Sequence, residues 1–219
     1  TALGKALLPT LSRQVTRKQE NAFQKTFGTS IRIILGLMIP SAVLLGIGIR
    51  PFVTLLNFDS AGTELVVWTT RAYLVGMLAH GIIEVAARTF YAQQKALIPL
   101  IGTILSTLTF LITGIILAPR LGAPGIGLAN SFAFWFEAIL LLFLLSRAFP
   151  KGIQLSSTII RTVLGTGLGG AVSYLILQYA PFRPLSTLMD LLFTVGVLAV
   201  GAGLTLPFIW KELKALFNL

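Results

Sequence analysis

The chain has 219 residues, of which 55% are hydrophobic and only 11% are charged, and its mean hydropathy is +0.89. Soluble domains carry about 25% charged residues, so this composition excludes an ordinary soluble domain and indicates an integral membrane protein. Because the chain has no cysteine, it has no disulfides or thiolate metal sites, and one histidine with seven acidic residues gives no basis for a metal centre. No cofactor is expected.

Before the first long apolar segment, residues 1–30 divide into two parts. The apolar start, TALGKALLPTLS, is too short to span a bilayer and has the character of the end of an earlier helix. The stretch from Thr16 to Thr29 is polar and places Phe23 and Phe27 at helical spacing. This pattern predicts a helix lying on the inner membrane surface.

Six long apolar segments follow one another along the rest of the chain. Each has roughly the 20 residues that a helix needs to cross a bilayer, and each is too continuous to be a barrel strand. We therefore predict an all-α polytopic membrane protein with about six transmembrane helices. The segments cover 31–49, 65–87, 98–118, 125–146, 160–180 and 188–210.

The connections between these segments are short, which predicts that sequential helices are antiparallel neighbours. The first four helices form a block over residues 31–147. A more polar linker from Arg147 to Ser157 separates this block from a final helix pair, which lies within residues 148–219.

The basic residues predict the orientation in the membrane. If the loops alternate between the two sides, 13 of the 17 lysines and arginines fall on one side. Basic residues in short loops stay in the cytoplasm, so we expect both ends of this chain to be cytoplasmic. The net charge of +10 is then a topological signal and a contact for anionic lipids, and no basic soluble domain suggests binding to nucleic acid.

Ionisable residues inside the second segment are the first candidates for a functional site. His80, Glu84 and Arg88 are spaced four residues apart and so share one helix face. Each costs on the order of 3 kcal/mol to insert into a bilayer. They either line a cavity that contacts a charged substrate or ion, or form a neutralised structural pair near the headgroups, with Arg88 reaching out of the membrane. Arg71 lies on a different face, near the outer mouth.

Glu137 lies near the middle of the fourth segment, with Asn130 two turns before it. It is too deep to reach the headgroups, so it is either a functional carboxylate or a neutral acid in an interhelical hydrogen bond. Arg161 and Asp190 lie at the entrances of segments five and six, and we interpret them as membrane anchors.

The sequence GTGLGG, residues 165–170, superficially suggests a phosphate-binding loop. It lies inside an apolar segment with no strand before it, and Gly165 and Gly169 have the spacing of small residues that pack helices together. No nucleophile is paired with a base in the sequence either, so we do not expect an enzyme.

Two stretches, RAYLVGMLAHGIIEVAARTFYAQQKALIPL and ILAPRLGAPGIGLANSFAFWFEAILLLFLLSR, resemble the carboxy-terminal half of the MurJ/MviN lipid II flippases. That family belongs to the multidrug/oligosaccharidyl-lipid/polysaccharide exporter superfamily. The similar features are RAY entering a helix, AR-x-FYA leaving it, and P-x-LG-x-x-G-x-x-x-A-x-S between the next two helices. PTLSRQ, residues 9–14, is similar to the end of the family's eighth helix.

The resemblance implies the second half of a fourteen-helix flippase of the bacterial inner membrane, in which the six segments are helices nine to fourteen. Such a protein moves lipid II outward by alternating access, with a central cavity for the head-group and a groove in the final helix pair for the lipid tail. The partners implied are lipid II, membrane lipids and an amino-terminal lobe. Candidate cavity residues, of which Arg71 and Arg88 lie in matching motifs, are Arg71, His80, Glu84, Arg88, Asn130 and Glu137.

Two alternatives remain open on the sequence. One is an exporter of drugs, polysaccharides or other lipid-linked oligosaccharides from the same superfamily. The other is a membrane scaffold that binds partners and transports nothing, and that would tolerate neutralisation of Glu84 and Glu137.

Overall fold

The described residues fold into helices. A computed structural model describes residues 2–148, 155–179 and 186–217, and it contains no strand within these ranges. Much of the expected linker from Arg147 to Ser157 lies outside them, as do Lys151 and Arg183. The helices are α1 (Ala2–Thr16), α2 (Glu20–Thr54), α3 (Ser60–Ala92), α4 (Leu97–Leu121), α5 (Ala123–Ala148), α6 (Ser156–Tyr179) and α7 (Thr187–Phe217).

Helices α2 to α7 are each long and apolar enough to cross a membrane. This confirms the predicted all-α polytopic class and the approximate position of each span. We call the end of the bundle that holds the α3–α4 connection the inner end. The opposite end, which holds the α2–α3 and α4–α5 connections, is the outer end.

The polar stretch from Thr16 to Thr29 differs from the expected surface helix. Helix α1 ends at Thr16, and from Glu20 the chain already forms the first turns of α2, which continues without a break to Thr54. Phe23 and Phe27 are buried against protein. The periodicity of these two residues therefore reflects packing within the helix bundle.

Helix α3 lies between α2 and α5, and it makes few contacts with α4. The expectation that all sequential helices are neighbours is therefore wrong for α3 and α4, because α5 packs against both. Small residues allow the close approach: the Ser131 hydroxyl donates to the Ala72 carbonyl at 2.6 Å. A Cβ atom at Gly76 would stand only 2.8 Å from the Ser131 Cα.

The main apolar core lies at the inner end, where α1, α2, α3 and α5 meet. Its side chains come from these four helices, so the core joins α1 to the block that α2 to α5 form. Among its members are Leu7, Leu11, Phe27, Ile31, Ile82, Val85, Phe90, Leu141 and Leu145.

Helices α6 and α7 form a closely packed pair that also rests on α2. At the crossing, a Cβ atom on Gly169 would overlap the Gly201 carbonyl oxygen and stand 2.5 Å from the Thr205 hydroxyl oxygen. Thr205 also donates to the Gly165 carbonyl at 3.2 Å. The structure thus confirms that GTGLGG is a helix-packing motif.

Candidate functional site

The polar stripe on α3 occupies a face that the neighbouring helices leave partly open. Arg88 Nη2 donates to Glu84 Oε1 at 2.6 Å, and side-chain exposures of 25% for Arg88 and 30% for Glu84 leave the pair accessible. His80 and Tyr91 are exposed on the same face. The stripe is therefore a set of polar groups within reach of a ligand at the inner half of the bundle.

Aromatic contact joins this stripe to the second group of candidates on α5. The His80 ring centroid lies 5.1 Å from that of Phe134, which precedes Glu137 by three residues. The Glu137 side chain is only 4% exposed, and its Oε1 accepts a hydrogen bond of 2.9 Å from the Thr103 hydroxyl on α4. Asn130 is half-buried two turns earlier on α5.

Arg71 lies apart from the stripe, near the outer end of α3. Its Nε donates to the Gly46 carbonyl of α2 at 2.8 Å, and its guanidinium carbon lies 5.0 Å from the Trp68 ring centroid. The side chain thereby ties α2 to α3 while lining an apolar cavity of about 560 Å³ beside Val75 and Leu128. Nearby, Arg50 and Glu64 form an ion pair between the exposed ends of α2 and α3.

A second apolar groove, of about 530 Å³, runs between α2 and α6. It lies within the span of both helices and contains no charged side chain among its described lining residues. Side chains on its walls include Ile39, Val43, Ile47, Val163, Ala171 and Tyr174.

Sequence reasoning missed one buried acid, Glu212 in α7. It is 5% exposed and pairs with Arg161 of α6 at 3.1 Å, so Arg161 has a protein partner where only a membrane anchor was expected. The two residues are 51 positions apart, and no periodicity connects them. Glu212 lies between Lys211 and Leu213, with Lys214 next, just beyond the predicted end of the last segment. Such a charged stretch is typical of an exposed helix end, so the local sequence gave no signal that Glu212 is buried.

Apolar helices of spanning length, with ionisable side chains held between or along them, define a polytopic membrane protein. The family model described as "Lipid II flippase MurJ" matches residues 1–193. The chain belongs to this family.

Several curated proteins named "Probable lipid II flippase MurJ" are similar to this chain. The one from Treponema pallidum (strain Nichols) is 30% identical over 151 residues, which are 67% of this chain and 29% of the relative. Those from Bdellovibrio bacteriovorus and Rhizobium meliloti are each 28% identical, over 81% and 85% of this chain and 34% and 36% of the relative. The chain therefore spans about a third of the length of these relatives.

Proposed function

We propose that this chain is the carboxy-terminal part of a transporter that moves lipid II from the inner to the outer leaflet of the bacterial cytoplasmic membrane. Membership of the lipid II flippase family over residues 1–193 carries this proposal. The ionisable groups on the open face of α3 suit binding of a polar head-group.

The open stripe on α3 supplies contacts for the head-group of the cargo. Arg88, held by Glu84, presents a cationic group suited to a pyrophosphate. His80 offers ring nitrogens one turn before Glu84 on the same helix. His80 also contacts Phe134 on α5, the helix that carries the candidates Glu137 and Asn130. Arg71 supports the surface from the outer end by fixing α2 to α3.

The groove between α2 and α6 is suited to part of the polyprenyl tail. Its walls are almost entirely apolar, and a hydrocarbon chain there buries surface without leaving polar groups unpaired. A transporter must move the polar head through the bilayer while the tail stays in apolar surroundings. The two surfaces together meet that requirement.

Depletion of the whole protein in its native cells tests the proposed cargo. Lipid II is labelled at the outer leaflet with a membrane-impermeant probe, before and after depletion. The proposal predicts that the outer pool falls while the inner pool accumulates. If both pools stay constant in cells with no other lipid II flippase, the cargo is not lipid II. The protein is then better explained as an exporter of another substrate or as a scaffold that transports nothing.

Replacing Glu84 with glutamine should reduce transport with little effect on stability. The Glu84–Arg88 pair is partly exposed, so it contributes only about 0–1 kcal/mol to folding. Without the Glu84 carboxylate, Arg88 is no longer held in place for the cargo. Loss of a charged hydrogen bond from Arg88 to bound cargo costs about 1.5–3 kcal/mol, which is about tenfold or more in rate at limiting substrate. The measurement is the rate of outer-leaflet labelling at matched protein levels.

The control for this variant is Glu64→Gln. Glu64 lies on α3, as Glu84 does, and it also pairs with an arginine, Arg50 of α2. We expect Glu64→Gln to transport at the parental rate. Equal rates for the Glu84 and Glu64 variants would count against a role for the stripe in binding cargo.

The orientation derived from the basic residues predicts which connections face the cytoplasm. The chain has no cysteine of its own, so single cysteines can be placed in it once any cysteine elsewhere in the full-length protein is replaced by serine. Ser60→Cys, in the exposed first turn of α3, should react with an impermeant thiol reagent added to intact cells. Ala96→Cys, in the α3–α4 connection, should react only after the membrane is opened. The reverse pattern would invert the proposed topology.

A further inference from the structure

Glu212 is a buried carboxylate at the inner end of α7, and the site described above does not use it. It is 5% exposed, and an ionised acid is costly to bury unless partners compensate for the water it loses. Glu212 is therefore retained at a position where an apolar side chain would pack at lower cost.

Both of its described hydrogen-bond partners come from α6 and reach the same oxygen. Thr158 Oγ1 and Arg161 Nη2 each donate to Glu212 Oε1 at 3.1 Å. The other oxygen, Oε2, is buried and accepts no hydrogen bond from the part of the chain the structure describes. The carboxylate thus binds α6 firmly through one oxygen while its second oxygen is left unsatisfied.

The backbone of α2 meets this cluster at a glycine. A Cβ atom placed on Gly36 would stand 3.0 Å from the Glu212 Cβ and 3.2 Å from its Cγ. Three helices therefore converge on one side chain: α7 carries it, α6 supplies its donors, and α2 provides a surface without a side chain for it to pack on.

The apolar groove between α2 and α6 begins just beyond this junction. Val43 lies two turns after Gly36 on α2, and a Cβ atom on Gly170 of α6 would stand 3.1 Å from the Val43 Cγ1. The contacts that hold α6 and α7 on α2 at Glu212 therefore lie directly beside the groove.

We propose that Glu212 is a positioning residue that, with Arg161, forms a latch holding the α6–α7 pair on α2 and setting the width of the groove. The ion pair of Glu212 with Arg161 joins α7 to α6, and the packing of Glu212 on Gly36 seats the joined pair on α2. The link to the lipid tail rests on the proposed function. The unsatisfied Oε2 offsets part of the stabilisation from Arg161.

Disulfide formation across the groove tests the latch in the full-length protein. A Cβ atom on Gly170 would stand 3.1 Å from the Val43 Cγ1, a position that a cysteine sulfur could take, so Val43→Cys and Gly170→Cys are close enough to form a disulfide. This chain has no cysteine of its own, and any cysteine elsewhere in the full-length protein is replaced by serine. Mild oxidation should link the pair efficiently in the parent. Glu212→Gln, which keeps the volume of the side chain, should lower the disulfide yield several-fold because it removes the charge that holds Arg161.

Two further variants separate positioning from packing alone. Arg161→Lys keeps the charge and should restore most of the disulfide yield, whereas Arg161→Gln should lower it as Glu212→Gln does. Glu64→Gln, in the exposed pair at the outer end, should leave the yield at the parental level. Membrane abundance and size-exclusion profiles identify any variant that fails to fold.

Parental disulfide yields in folded Glu212→Gln and Arg161→Gln proteins would overturn the latch. This readout does not depend on the cargo, because it reports only the separation of α2 and α6. Outer-leaflet labelling of lipid II in the same cells tests the proposed function independently, so failure of one is distinguishable from failure of the other.

Discussion

Replacing Gly169 with leucine should separate α6 from α7 and abolish transport by the full-length protein. At this crossing the nearest atoms belong to the Gly201 backbone and the Thr205 hydroxyl, and a backbone carbonyl cannot rotate away as a side chain can. Overpacking a well-packed interior costs about 1–3 kcal/mol, and a branched side chain against backbone should lie at or above the top of that range. Thermal stability in detergent and transport in cells are the measurements.

Gly203→Leu is the matched control, because it adds the same side chain to the same helix pair, on α7 two residues from Gly201. A Cβ atom on Gly203 meets no other atom within 4 Å, so a leucine there extends into open space. We expect this variant to fold and transport normally. Similar losses in both variants would show that the α6–α7 pair tolerates no added bulk and would remove the crossing as the cause.

Replacing Glu137 with glutamine should abolish most transport while the protein stays folded. Glutamine keeps the acceptor for Thr103 and the volume of the side chain, but it removes the ability to ionise. Buried ionisable groups in membrane spans mark substrate or ion pathways by default, and Glu137 lies about one turn after Phe134, which contacts His80 of the open stripe. The measurements are outer-leaflet labelling of lipid II and thermal stability.

Ser106→Ala provides the comparison for Glu137. It removes a hydrogen bond across the same α4–α5 interface, from the Ser106 hydroxyl to the Ala133 carbonyl at 3.0 Å. Such bonds in membranes contribute about 0.6 kcal/mol on average, so Ser106→Ala should lose a little stability and keep transport. If Glu137→Gln also keeps transport, Glu137 serves only to hold α4 against α5, and its assignment to the cavity is wrong.

Hydropathy is sufficient to place the membrane helices of this protein. A span must satisfy its backbone internally and match the thickness of the bilayer, so length and apolarity determine where each helix runs without reference to its neighbours. The same signal is weak where a helix continues beyond the bilayer. The polar first turns of α2 were accordingly expected to lie on the membrane surface, although Phe23 and Phe27 pack in the core.

Which helices touch one another is harder to derive from the sequence. The position of α5 between α3 and α4 depends on Gly76 and Ser131, which are 55 positions apart, and small residues occur throughout the spans. Local spacing predicted the pairing of Glu84 with Arg88, because one helix contributes both residues. It could not predict the partners of Glu212, because Thr158 and Arg161 lie on another helix.

The single residue between α4 and α5 has a consequence for biosynthesis. Helix α4 ends at Leu121 and α5 begins at Ala123, and Gly122 between them adopts a positive φ of 63°. So short a connection keeps the adjoining ends of the two helices together and favours their insertion into the membrane as a hairpin. Helix α4, whose apolar side chains are largely exposed, would then reach the bilayer already paired with α5.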